Sequence, residues 1–347
     1  MQEKAQVAEN KMIYGQNWPA YDKAQIKQKE LFMKLLYDLC QSVPEEPAHG
    51  GKGRPRMQLR DMVFTPALKV FTTFSLRRAS TDARNAHELN YTERTPHYST
   101  IALYMEKPEL AQILNGLITM SSLPLKAVET KFAVDSSGFR TTKFSDYCRE
   151  RHETKQKHEW MKVHICCGVK TNIVTAVEIG REHHSADSPQ FVPLVMKTHD
   201  NGFEIEEVSG DKAYGSKANY NAIDELGGTA YIPFKSNTTM WGISHSKGNT
   251  FANSHSKGNN ARVWRKMYRY FTYNQEEFME HYHLRSNVES TFYMIKSKFT
   301  DLVRSRTETA RINEVLLKVL CHNICVLIQE MFELGIEPHF IDSGDKI

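Results

Sequence analysis

Tyr282, Arg285, Glu289 and Lys296 lie close together in one segment, HYHLRSNVESTFYMIKSKF, from His281 to Phe299. On a helix turning roughly 100° per residue, with Tyr282 at 0°, the other three fall at roughly 300°, 340° and 320°. Val288, Phe292, Ile295 and Phe299 fall at roughly 220–280° on the same wheel, so an apolar face runs beside a polar stripe. The stripe holds a phenol, a carboxylate that can bind a cation, and two cations that can bind phosphates. A surface helix with favourable charge spacing would look the same when taken alone.

Two further carboxylates stand where α/β chemistry is usually placed. Asp135 ends the strand-like run KFAVD before Ser136-Ser137-Gly138, and Asp211 ends a run before Lys212-Ala213-Tyr214-Gly215. Acids at strand ends can converge across a sheet. A turn or helix-cap aspartate is the commoner fate of any single one, and three acids in ordered contexts shift the balance. Asp187, in the run from His183 to Asp187, is explained as a helix cap and left outside the set.

Asp135 in VDSSGF, Asp211 in SGDKAYGS and the spaced Tyr282, Arg285, Glu289 and Lys296 resemble the DDE transposases of bacterial and archaeal insertion sequences. The last series matches that family's Y-x2-R-x3-E-x6-K signature. The likeness covers residues 131–300 well, and residues 10–118 resemble the family's N-terminal DNA-binding regions more loosely. It implies an α/β, ribonuclease-H-like mixed-sheet core behind an N-terminal helical domain. It also implies that Asp135, Asp211 and Glu289 are the catalytic metal ligands, holding two Mg2+ or Mn2+ ions. Arg285 and Lys296 would then hold DNA phosphates, with Tyr282 supporting them. The partners implied are double-stranded DNA, both element terminal repeats and target, and a second copy of the chain in a synaptic dimer. Trp264 or Trp241 could stack on an unpaired base, although a packed tryptophan is the better reading. A nuclease that cuts without joining, and a non-catalytic DNA-binding descendant, are the competing readings.

The remaining sequence must position these groups. Residues 20–42 read as an amphipathic helix with Ile26, Leu31, Phe32, Leu35 and Leu36 at helical spacing. A Pro/Gly-rich loop follows, then two or three helices between 58 and 118, broken at Pro108. After Pro124 come three β-rich runs, KFAVD, Trp160 to Cys167 and Asn172 to Ile179. Ser188 and Pro189 suggest the N-cap and first position of a helix reaching His199. A strand from Glu207, a helix from about Ser216 and a strand at Thr229 to Phe234 complete an α/β alternation. Between Phe234 and Glu280 the pattern dissolves around a doubled SHSKGN, read as a loop in which metal binding by His245 and His255 is disfavoured. Helices at about 280–300 and 309–334 close the chain. The expected division is 1–125 helical and DNA-binding, 126–310 catalytic with 235–280 inserted, and 311–347 a C-terminal helix and tail.

Composition narrows the class. The 347 residues are 40% hydrophobic and carry a formal net charge of +4, too mild to decide a partner. Local excesses say more: residues 140–170 hold eight basic side chains against four acidic ones, and residues 296–311 are also basic. Six cysteines without CxxC spacing argue against a zinc finger or a disulfide framework, and Cys321 and Cys325 read as core residues of a helix. No uninterrupted apolar run approaches 18 residues and the first thirty residues are polar, so a cytoplasmic protein without a membrane partner is expected.

Overall fold

The computed structural model describes residues 17–44, 56–141, 160–180, 187–240, 242–243 and 260–340. The N-terminal part is helical: α1 (Trp18–Cys40), α2 (Leu59–Phe71), α3 (Ser80–Glu88), α4 (Tyr98–Met105) and α5 (Glu109–Ser122). Four helices therefore occupy the stretch expected to hold two or three, and Pro108 does separate two of them. In α1 Phe32, Leu35 and Leu36 are buried as the periodicity predicts, but Ile26 is 84% exposed and lies off that face.

β1 (Lys131–Arg140), β2 (Trp160–Gly168) and β3 (Val174–Ile179) follow. Then come α6 (Ser188–Asp200), β4 (Glu207–Gly210), α7 (Lys217–Glu225) and β5 (Thr229–Tyr231). The five strands form one mixed sheet in the order β3-β2-β1-β4-β5, antiparallel across β1–β3 and parallel across β1, β4 and β5. Successive side chains of a strand point to opposite faces. Ala133 and Phe139 thus join a core with α1, α2 and α5, while Phe132 and Val134 join another with α6 and α7. β1 does not end in a turn at Ser136-Ser137-Gly138 as its small residues suggest. Those residues pair in register with His164, Val163 and Lys162 of β2, so the ladder overrides local turn chemistry. Gly138 suits this course because a Cβ there would lie 2.9 Å from the Trp160 ring.

Beyond Phe234 the described residues hold more regular structure than the composition suggests. A short hairpin (Thr238–Thr239 with Gly242–Ile243) precedes α8 (Asn260–Tyr273), then α9 (Gln275–His283), α10 (Ser286–Phe299) and α11 (Glu308–Glu333). The doubled SHSKGN, Trp241, His245 and His255 lie outside the described residues, as do Cys148 and most of the basic stretch at 142–159.

α11 is the central strut. Among the described residues it alone is long and apolar enough to cross a bilayer by length and composition, yet 83% of its most apolar window is buried inside the fold. Buried Asn323 accepts from Val174 N at 3.0 Å and donates to Val174 O at 2.8 Å, pinning α11 to the edge strand.

His322 and Glu330, also on α11, make stability depend on pH in opposite senses. Burial holds His322 down to about 4 from an ordinary 6.5, against the bond it donates to Asn172 O. The unfolded chain then binds an extra proton between those values, so stability falls as pH falls through that window. Burial, with Glu333 and Glu129 nearby, pushes Glu330 up to about 7 from 4.5, so here the folded state binds the extra proton and stability falls as pH rises. The two slopes oppose each other between 4.5 and 6.5. Denaturant titration across this window is expected to give a steeper acid loss in Glu330→Gln than in wild type. In His322→Gln a loss of about 3 kcal/mol over the full window should vanish. Parallel profiles in all three proteins would contradict both assignments.

Candidate active site

Parallel pairing sets the first two acids side by side. Val134 of β1 is in register with Gly210, the last residue of β4, so Asp135 and Asp211 are the residues that directly follow this pair. Neighbouring strands lie ~4.8 Å apart, close enough for the two carboxylates to feel one another. Asp135 is pushed above the usual carboxylate range by burial first, and Asp211 adds to the rise. The Ser136 amide and Arg285 oppose it. Asp135 Oδ1 accepts from Ser136 N at 2.8 Å. Asp211 Oδ1 accepts from Ala213 N at 2.6 Å, capping the short 3-10 turn Lys212–Tyr214. The cap bond uses Oδ1 and leaves Asp211 beside Asp135.

The third acid arrives on α10. Arg285 spans the gap, with Nη2 donating to Asp135 Oδ2 at 2.6 Å and Nη1 donating to Glu289 Oε1 at 2.8 Å. The arginine is thus the counter-charge of a carboxylate cluster that would otherwise repel itself. Val288, Phe292, Ile295 and Phe299 are buried, as the helical wheel predicts. The segment is not one helix, however. α9 ends at His283, and the turn runs through Arg285 N to Tyr282 O (2.9 Å) and Val288 N to Arg285 O (3.0 Å). Tyr282 consequently sits on the last turn of α9, packed at the edge of the second core, rather than on a continuous stripe with Glu289. Its phenol is still near enough to act on Arg285. Lys296 reaches back to β1, where its Nζ donates to Ser137 Oγ at 2.6 Å, two positions beyond Asp135.

Trp264 is withdrawn from the base-stacking role. It is 3% exposed, with ring centroids 4.9 Å from Phe234 and 5.5 Å from Tyr220, so no base can reach its face. Asp187 also behaves differently from expectation. α6 begins at Ser188, and Asp187 gives it no side-chain cap bond. It accepts instead from Lys162 Nζ at 2.5 Å and from Ser136 Oγ at 3.0 Å, directly behind Asp135. Tyr214 went unread in the sequence. It is fully buried, and its phenol is pushed up by burial first and then by the charges of Asp135, Asp187 and Asp211. Its place three residues after Asp211 was the available signal.

Residues 126–324, more than half of the chain, match the family model of the transposase DDE domain. The chain belongs to the DDE transposase family. Its five-stranded mixed sheet with flanking helices is the ribonuclease-H-like core of these enzymes, which act on DNA and generally use divalent metal ions. Among the described residues no three acidic, histidine or cysteine side chains stand close enough to enclose an ion as they are. Arg285 keeps Asp135 and Glu289 at the two ends of its guanidinium. The donor set nevertheless fits such an ion. It is carboxylate oxygen throughout, the preference of hard divalent cations, and the shared charge already calls for a cation.

Proposed function

We propose that this transposase binds the ends of an insertion sequence, cleaves them, and joins them to target DNA with one set of acids. The observation that carries the reading is the Asp135–Arg285–Glu289 bridge beside Asp211. Two carboxylates, from a central strand and a following helix, share one cation, and a third follows the parallel neighbouring strand. Asp135, Asp211 and Glu289 would hold two Mg2+ or Mn2+ ions, which when bound clamp the attacking and leaving oxygens of an in-line phosphoryl transfer. On this reading Arg285 exchanges its carboxylate partners for a backbone phosphate when DNA arrives. Lys296, anchored at Ser137, holds a second phosphate along β1, and Tyr282 supports Arg285. Water first attacks the element end, and the freed 3′-hydroxyl then attacks target DNA. No covalent enzyme intermediate is needed.

Within this scheme residues 1–125 contribute end recognition, 126–310 the chemistry with 235–280 as an insertion, and 311–347 the strut that joins them. The working form is a dimer that pairs two ends in the cytoplasm. The test is a strand-transfer assay on labelled duplexes carrying the repeats that flank this coding sequence, with Mg2+ or Mn2+ added back after chelation. Metal-dependent joined product is expected. Cutting without joining would replace this reading with a nuclease, and binding without either would replace it with a non-catalytic DNA-binding protein.

A further inference from the structure

A cleft of roughly 830 Å³ opens where the N-terminal helices meet the far end of β1. One wall is the segment after α2, with Thr73, Ser75 and Arg78. The other is the segment after α10, with Thr300 and Arg304, alongside Arg140 at the end of β1. This second wall is fixed to the sheet: Arg140 N donates to Asp301 O at 2.9 Å, and Val303 N donates to Arg140 O at 2.7 Å. Asp301 is engaged by Arg140 through Nε at 2.6 Å and Nη2 at 2.7 Å, so that pair is neutral. Arg78 and Arg304 remain. Both are exposed, and among the described residues neither is ion-paired to a carboxylate. The Arg78 guanidinium lies 4.5 Å over the Phe74 ring, which fixes its position without neutralising it.

The backbone of the cleft is also unusual. Among the described residues four non-glycine positions have positive φ, and two are asparagines, a type that tolerates it. The other two are threonines, whose branched side chains disfavour it: Thr73 at 56° and Thr300 at 64°. Both line this cleft. Each is held there by a cation on its carbonyl, Arg304 Nη1 on Thr73 O at 2.7 Å and Lys318 Nζ on Thr300 O at 2.8 Å. Strain kept in two facing segments points to use of the space between them.

We infer that this cleft is a second binding site for the DNA strand, taking a backbone phosphodiester between Arg78 and Arg304. The inference rests on the transposase reading above. Guanidinium groups and hydroxyls are phosphate ligands, and they carry no base information. The cleft also lies along β1 from the acids, beyond the cation of Lys296. Lys296 meets β1 at Ser137, and Arg140 lies five residues beyond Asp135. At ~3.3 Å per strand residue that is roughly 17 Å, or about five base-pair steps at ~3.4 Å each. The phosphate bound here is therefore several nucleotides from the one that reacts.

The experiment measures affinity for a fluorescent duplex carrying the flanking terminal repeat, over a salt series, with wild type, Arg78→Ala, Arg304→Ala and Lys126→Ala. Lys126 precedes β1 and so lies at the opposite end of that strand. Arg78→Ala and Arg304→Ala are each expected to reduce the magnitude of the log–log salt slope by about 0.9, and Lys126→Ala to leave it unchanged. A single uncharged methylphosphonate about five steps from the cleavage point should weaken wild type and have no further effect on either arginine variant. Arg304→Ala also loses the bond to Thr73, so Arg78→Ala, an exposed side chain outside the core, is the variant that decides if the former does not fold. Wild-type slopes in Arg78→Ala, with the methylphosphonate still weakening it, would overturn the cleft and leave the transposase reading intact. No salt-dependent duplex binding by wild type would overturn that reading, and the cleft with it.

Discussion

Asp135→Asn is expected to abolish end cleavage, by ~10⁴-fold or more, while the folded protein becomes no less stable. The activity side follows from the proposed metal-ligand role, since an amide cannot replace an ionised oxygen. The stability side follows from the electrostatics of the free protein. Burial and the neighbouring Asp211 raise the Asp135 carboxyl, so its charge is held in the fold at a cost despite Arg285. Removing that charge should leave Tm equal or higher. A second readout separates a lost ligand from a distorted site. Mg2+ that binds only the folded state raises the wild-type Tm by mass action, and this rise should be absent in Asp135→Asn. Asp211→Asn and Glu289→Gln should lose cleavage in the same way. Full cleavage by any one of them would remove that residue from the metal set, and a large drop in Tm for Asp135→Asn would refute the repulsive cluster.

The parts of this site that were legible in the sequence are those fixed by local periodicity. KFAVD carries the short apolar run of a strand buried on both faces, and its aspartate stands beside Asp211 because each directly follows the residues that pair in parallel. The spacing of Val288, Phe292, Ile295 and Phe299 orients α10 and with it Glu289 and Lys296. What escaped was decided by distant partners. No glycine or proline marks the break between His283 and Ser286, where Arg285 is tethered to a strand 150 residues earlier. Asp187 has the setting of a helix cap, yet Lys162 and Ser136 draw its carboxylate away. α8 is a different kind of miss. Val263, Trp264, Met267, Tyr268 and Phe271 follow a helical repeat that was visible, but the adjoining SHSKGN repeats led the whole region to be read as loop. Trp264 belongs to that buried face, which is why it is unavailable to a base.

Replacing Glu314 with alanine is expected to destabilise the protein by about 3–5 kcal/mol, the cost of breaking a buried charge network from one side. Glu314 is buried on α11 and receives Arg304 N at 3.0 and 3.1 Å, Ser305 N at 2.8 Å and Ser305 Oγ at 2.7 Å. Burial alone would raise its carboxyl. Lys69, the Arg304 amide, Ser305 and Lys318 instead hold it below the usual range, so its charge belongs to the fold. Buried Lys318 depends on this arrangement: burial brings it down to about 8, and Glu314 is the main influence keeping it from falling further. In Glu314→Ala the lysine loses that support and its folded value drops. The unfolded chain then binds more protons across a wider alkaline window, so the variant should recover stability relative to wild type as pH rises through neutrality. Lys318→Met in the same background should restore part of the loss by removing the stranded charge. Urea titration of the single and double variants checks both statements, and a loss below about 1 kcal/mol, with no recovery at alkaline pH, would contradict them. The same carboxylate grips the loop that carries Thr300, Asp301 and Arg304. Any folded Glu314→Ala protein should therefore also bind duplex DNA more weakly, because the arginine at the mouth of the cleft hangs from the bonds that Glu314 accepts.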